Sequence, residues 1–287
     1  MNLTSIVGPT EIDLVALAVK ERGVRCKTLV GGELVTLRPK HQIWSEVPGQ
    51  ILTVKSAKIW DYAGTRYMSG ELLSARTDVK ELDLVPLKLE DHGEWTPEDE
   101  YWGEPGEKID DLFAPIIQKG PRPMYEMEQI IPGEDPEDPW EDPILEAVEF
   151  HECGEQDKAY KIMEKILASD LRCLDAHAHL GTWRFNAEFS GRDSIELAQR
   201  HYQIGVQIGE LSLPDNFNGV LKWGMINNRP FLRCLKGYGL CLWRLGDTLA
   251  AKGIFERMLW LNPTDNQGIR FILAAINDGI SWDNFEK

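Results

Sequence analysis

Between residues 232 and 263, apolar and small residues recur every three or four positions: Leu235, Tyr238, Gly239, Leu242 and Leu245, then Ala251, Phe255, Met258 and Leu259. Each set falls on one side of a helix, so the spacing predicts two helices with a packed face apiece. Gly246 can take the left-handed conformation that closes the first, and Asp247 is placed to cap the second. Asn262-Pro263 ends the second, because proline removes a donor and disfavours helix in the residue before it. The same spacing returns from Pro143 onward: Ala147 and Phe150, a Gly154 turn, then Ala159, Met163, Ile166 and Leu167, with Leu171 where the terminal proline stood. A middle copy places Leu180-Gly181 on one helix and Ala198, Tyr202 and Val206 on the next. Gly181 to Ala198 spans 17 positions against 12 for Gly239 to Ala251, so its turn, around Phe189 to Arg192, is longer. Residues 215–228 read as an irregular excursion packed on the stack. The segment 266–277, with Ile269, Phe271, Ile272 and Leu273, reads as a capping helix with a polar outer side.

The N-terminal pattern differs. Ile12, Leu14, Val15, Leu17 and Val19 suggest a short helix over 10–22, stopped by Gly23. After it come runs with strand character: Lys27 to Val30, Leu34 to Leu37, Gln50 to Ile59, Arg66 to Arg76, and Leu82 to Leu89, the last an edge strand because of Pro86. Four or five short antiparallel strands predict a small barrel or rolled sheet, similar in element count to SH3-like modules. From 91 to 142 the composition shifts: eight of the chain's 16 prolines lie there, with 17 acidic and 3 basic residues. Such a segment lacks a core of its own. It nevertheless carries Trp95, Tyr101, Trp102, Tyr125 and Trp140, which gain by burying apolar area, so it is expected to lie along a folded part of the chain. The predicted organisation is α+β: a small β-rich domain over 1–90 with an N-terminal helix, an acidic proline-rich linker over 91–142, and an all-α helical repeat stack over 143–287.

The order small residue, turn glycine, Ala, Phe, Leu, Pro in the 232–263 unit resembles the tetratricopeptide repeat, in which antiparallel helix pairs stack into a superhelix. In that family the first helices line a concave groove. The resemblance, aligned on Gly239, Ala251 and Pro263, carries the groove-facing role onto Arg233, Lys236, Leu240, Trp243 and Arg244. Helical geometry alone puts these five in an arc of about 100° opposite Leu235 and Leu242. The resemblance implies binding of an acidic or extended peptide, with arginine gripping carboxylates. The corresponding positions of the preceding copy are Ala178, Thr182, Phe185 and Asn186, of which Asn186 alone suits a carboxylate clamp. The acidic, aromatic linker has complementary charge, so it is expected to dock on this basic face and bury Trp243.

The net charge of −16 is concentrated in 91–142. Global acidity argues against bulk nucleic-acid affinity, which draws on clustered Lys and Arg, and leaves only a local basic face as a route to it. Lys55, Lys58, Trp60, Arg66 and Tyr67 around the Gly64 turn form such a candidate for RNA; read otherwise, Trp60 and Tyr67 make a cross-strand pair over a small core. His151, Cys153, Cys173, His177 and His179 resemble a ligand set only as a string, since His151 ends one first helix while Cys173 and His177 begin the next. No phosphate loop, dinucleotide fingerprint or Ser-His-Asp order is present, so no enzyme activity and no cofactor or metal is expected. The five cysteines make no CxxC pair, no signal peptide is evident and no apolar run of bilayer length occurs. These features point to a soluble cytoplasmic protein.

Overall fold

The segment expected to be the first helix is a strand. Residues 9–20, 22–41, 45–102, 108–135, 137–138, 141–187 and 191–285 are described in the computed structural model. There β1 (Glu11–Lys20) pairs antiparallel with β2 (Gly23–Thr28) and with β4 (Ile51–Tyr62). The reason the pattern misleads is that β1 is buried on both faces. Ile12, Leu14 and Ala16 point into one apolar cluster with Val24, Leu37, Leu52 and Met68, whereas Val15 and Leu17 join the core of the helical half. A strand covered on both sides shows an unbroken apolar run rather than alternation, and such a run imitates a helix.

With β3 (Leu34–Pro39) and β5 (Thr65–Arg76) the strands close into a barrel in the order β1-β2-β3-β5-β4. The β3–β5 pairing is parallel, Thr36 opposite Tyr67 through Pro39 opposite Gly70, and the other four pairings are antiparallel. Leu82 to Leu89 does not form the expected strand. Val79–Leu82 is a 3-10 turn capped by Asp78, the chain turns at Asp83 with φ 52°, and pairing resumes only at β6 (Leu89–Trp95). This exit is tied to the helices: the Val79 amide donates to Gln207 Oε1 at 3.0 Å and the Leu87 amide to Ser212 Oγ at 2.8 Å.

The linker is ordered where it is described, and it shares the core of the helical half. β6 pairs antiparallel with β7 (Arg122–Met127), with the short helix α1 (Ala114–Lys119) between them. Trp95, Phe113, Ile116 and Met127 are buried in the same cluster as the helices. Arg122 is fully buried, its guanidinium between the rings of Trp95 (4.9 Å) and Trp260 (4.3 Å), and its Nη1 donates to the Trp260 carbonyl at 2.8 Å. Burial lowers its pKa to about 10.

Three helix pairs follow: α2 (Pro143–Glu152) with α3 (Gln156–Ser169), α4 (Leu174–Phe185) with α5 (Arg192–Leu211), and α6 (Arg229–Arg244) with α7 (Thr248–Leu261). The expected punctuation is present. Asp142 caps α2, Gly246 has φ 96°, and Asp247 accepts from the Ala250 amide. The middle copy's register is set by close packing. A Cβ on Gly239 would lie 2.7 Å from the Phe255 ring, and one on Gly181 would lie 2.7 Å from the Tyr202 ring. Each aromatic sits four residues beyond the small alanine of its second helix, Ala251 or Ala198, so the two pairs pack alike despite their unequal turns. Part of that longer turn, including Phe189, lies outside the described residues, as does Trp140. The capping helix is α8 (Ile269–Asn277), and a further short helix, α9 (Trp282–Phe285), comes after it.

Candidate functional site

The five candidate groove positions all lie on α6, which packs against α5 and α7 and also meets α4 and α9. The polar ends of the three cations are engaged within the chain. Arg233 Nη1 donates to Asp175 Oδ1 at 2.7 Å, and the guanidinium lies 5.9 Å from the Trp223 ring. Asp175, buried at the start of α4, is also 3.7 Å from His179 Nε2, and burial lowers the pKa of that imidazole. Lys236 Nζ donates to the Gln267 carbonyl at 3.1 Å, and its burial lowers its pKa. Leu240 is half-buried. Arg244 Nη1 reaches the Phe185 carbonyl at 3.4 Å, with its guanidinium over the rings of Phe185 (5.1 Å) and Trp282 (5.7 Å).

Trp243 is only 2% exposed. What covers it is α9. Trp282 meets it edge-on at 5.5 Å and 86°, Phe285 lies at 4.9 Å, and Trp282 also packs edge-on against Phe185. The indole Nε1 of Trp243 is buried with no hydrogen-bond partner among the described residues. An unmet buried donor costs about 1–3 kcal/mol, so α9 covers the ring without satisfying it. The expectation that the linker buries Trp243 is therefore corrected. The linker docks instead on the 215–228 excursion: Met124 bridges Val220, the Tyr125 amide donates to the Val220 carbonyl at 2.9 Å, and Asn228 joins both segments to the start of α6. Asn228 accepts from the Met127 amide at 2.8 Å and donates to the carbonyls of Tyr125 and Lys222. Main-chain pairing, the buried Arg122 and an ion pair between Lys222 of the excursion and Glu100 of the linker hold this docking.

The remaining candidates separate. Trp60 and Tyr67 are cross-strand partners in β4–β5, stacked at 5.5 Å and 13°, with Lys58 5.8 Å over Trp60. Arg66 is spent on Asp61 at 3.0 Å and Glu33 at 3.6 Å. His151 stacks on Trp183 at 4.3 Å, the same indole that His179 meets at 6.0 Å. His177 instead faces His201, Nδ1 to Nδ1 at 3.5 Å, and its Nε2 lies 3.2 Å from the Leu171 carbonyl. Burial lowers the pKa of both imidazoles, that of His177 to about 4. Burial also raises Cys26 and Cys173 to about 12, so those thiols are poor nucleophiles. Among the described residues, no helix is long and apolar enough to cross a membrane.

Two participants escaped the sequence. Asp175 sits among apolar residues on α4 with no local sign that it would pair with a residue 58 positions later. The segment 282–285 is too short to show a period, although the close spacing of Trp282 and Phe285 at the end of a repeat stack was a readable signal. No family model matches the chain, and neither a curated protein nor a solved structure matches it.

Proposed function

We propose that the helical half is a tetratricopeptide-like interaction module whose groove, floored by α6, takes a short aromatic and acidic protein segment, and that the chain works by binding and not by catalysis. The observation that carries this reading is α9 itself. A segment with two aromatics and an acid, Trp282-Asp283-Asn284-Phe285, already lies across Trp243, Phe185 and Arg244. It leaves the Trp243 N–H unmet, so an outside segment that adds a carbonyl or carboxylate acceptor there gains what α9 lacks. The helix is four residues long and follows an exposed stretch, 277–281, which favours release. Four buried free thiols, Cys26, Cys173, Cys234 and Cys241, fit a reducing, cytoplasmic setting.

The test is binding of a labelled peptide with the sequence of residues 280–287 to the full chain and to a chain ending at Gly279, followed by fluorescence anisotropy. The shortened chain should bind at least about tenfold more tightly, since its groove end is open. Equal affinity in the two, or none in the shortened chain once circular dichroism shows it folded, would sink the reading.

A further inference from the structure

A second concavity lies where the barrel meets the stack. A cleft of about 1830 Å³ runs between β2, β3 and the β1–β2 and β4–β5 turns on one side and α3 and the end of α4 on the other. It is larger than the roughly 300–1,000 Å³ typical of small-molecule pockets, which suits a length of chain rather than one compact ligand. Its lining contains eight Lys and Arg side chains and five carboxylates, in a protein whose net charge is −16. Two of those carboxylates, Asp61 and Glu33, are already engaged by Arg66. Lys20, Arg22 and Arg25 from the barrel and Lys161 and Lys165 from α3 make no ion pair among the described residues. Among the cleft's carboxylates, Glu164 has its pKa raised by burial and feels Lys20, Arg184 and Lys161.

The cleft also has a flat aromatic wall. Tyr67 lines it, backed by the stacked Trp60 and flanked by the Arg38 guanidinium 5.4 Å from its centroid. Cations that follow a groove, with an aromatic and arginine platform beside them, are the parts by which proteins hold unpaired bases and their phosphates. An acidic peptide would use the cations and leave the platform idle. Small five-stranded barrels of the oligonucleotide-binding type use the same region, strands 2 and 3 with the loops after strands 1 and 4, although fold by itself does not fix function and the charges carry the argument. We propose that this cleft binds single-stranded nucleic acid, its phosphates following Lys20, Arg22, Arg25, Lys161 and Lys165 and a base lying against Tyr67.

The experiment is anisotropy of a fluorescein-labelled oligouridine of about 12 nucleotides with the full chain at about 50 and about 200 mM salt, with a glutamate peptide of matched charge as the second probe. Binding should weaken by about a hundredfold between the two salt concentrations, as five phosphate contacts on a single strand require. Lys161→Gln with Lys165→Gln should lower the salt slope by about 1.4, as two lost contacts on a single strand would. Glu164→Gln should tighten binding, while Lys119→Gln with Lys252→Gln, charge-matched but outside the cleft, should leave the slope unchanged. No binding at the lower salt, equal binding of the glutamate peptide, or an unaltered slope in the Lys161 and Lys165 variant would each overturn the proposal.

Discussion

The α6 groove and the barrel–stack cleft use the same kinds of residue to opposite ends. In the groove, Arg233, Lys236 and Arg244 each reach an acceptor inside the chain, and Trp243 lies under α9. In the cleft, five cations line an open surface without an ion pair among the described residues, and Tyr67 stands at the wall with Trp60 stacked on it. The groove's side chains thus contribute to holding the fold, while the cleft's contribute little to it. A positive charge on one face of a helix says nothing about availability until its neighbours are known.

Four measurements break or sharpen this contrast. Trp243→Ala should cost the most, about 3 kcal/mol in urea unfolding, because a buried indole and the seat of α9 are lost together. A loss under about 1 kcal/mol would mean that α9 is not held there. Acidification comes next. His177 and His201 are buried and neutral, with folded pKa values below the ordinary 6.5, so below about pH 6.5 the unfolded chain binds protons that the folded chain refuses. Stability should be fully present above that pH and should fall as pH drops toward about 4, by about 2 kcal/mol at pH 5 from His177 alone. Urea titrations at a series of pH values check the slope, which should flatten in His177→Phe if the fold tolerates it.

Arg233→Ala should cost about 1–2 kcal/mol, since it leaves the buried Asp175 carboxylate without its guanidinium; thermal unfolding reads it, and a neutral result would place Arg233 with the idle cations. The smallest effect belongs to the cleft. Lys161→Gln with Lys165→Gln should stay within about 0.5 kcal/mol of the parent in the same assay, because both side chains are exposed and make no ion pair among the described residues. A larger loss would show that the cleft cations also hold the fold.

Legibility along the chain followed burial. The helix pairs could be read because each has one covered side, so Ala147, Ala159, Gly181, Ala198, Gly239 and Ala251 keep the spacing of a packed face, and Gly246 and Asp247 mark the turn locally. β1 could not be read, because the helical half covers the face that would otherwise be polar. The linker's described residues share the core of the helical half through Trp95, while Tyr101, another of its aromatics, stays exposed. Its docking place depended on Asn228 and on two indoles, Trp95 and Trp260, that close on Arg122 from 27 positions before it and 138 after it. Of the candidate groove, the spacing placed the five positions on one helix, whereas their partners Asp175, Gln267 and Trp282 were not legible.

Periodicity, glycines and prolines act over a few residues, and they were enough to determine an α+β chain whose β-rich part precedes a crowded acidic middle and stacked helix pairs, though they misread β1 as a helix. Which cations stay solvent-facing, what lies over Trp243, and that the barrel and stack together enclose a positive cleft in an acidic protein depend on contacts between residues tens to hundreds of positions apart. Only the packed three-dimensional arrangement decides these, because charge and burial are properties of neighbourhoods in space, and the linear order of residues does not state them.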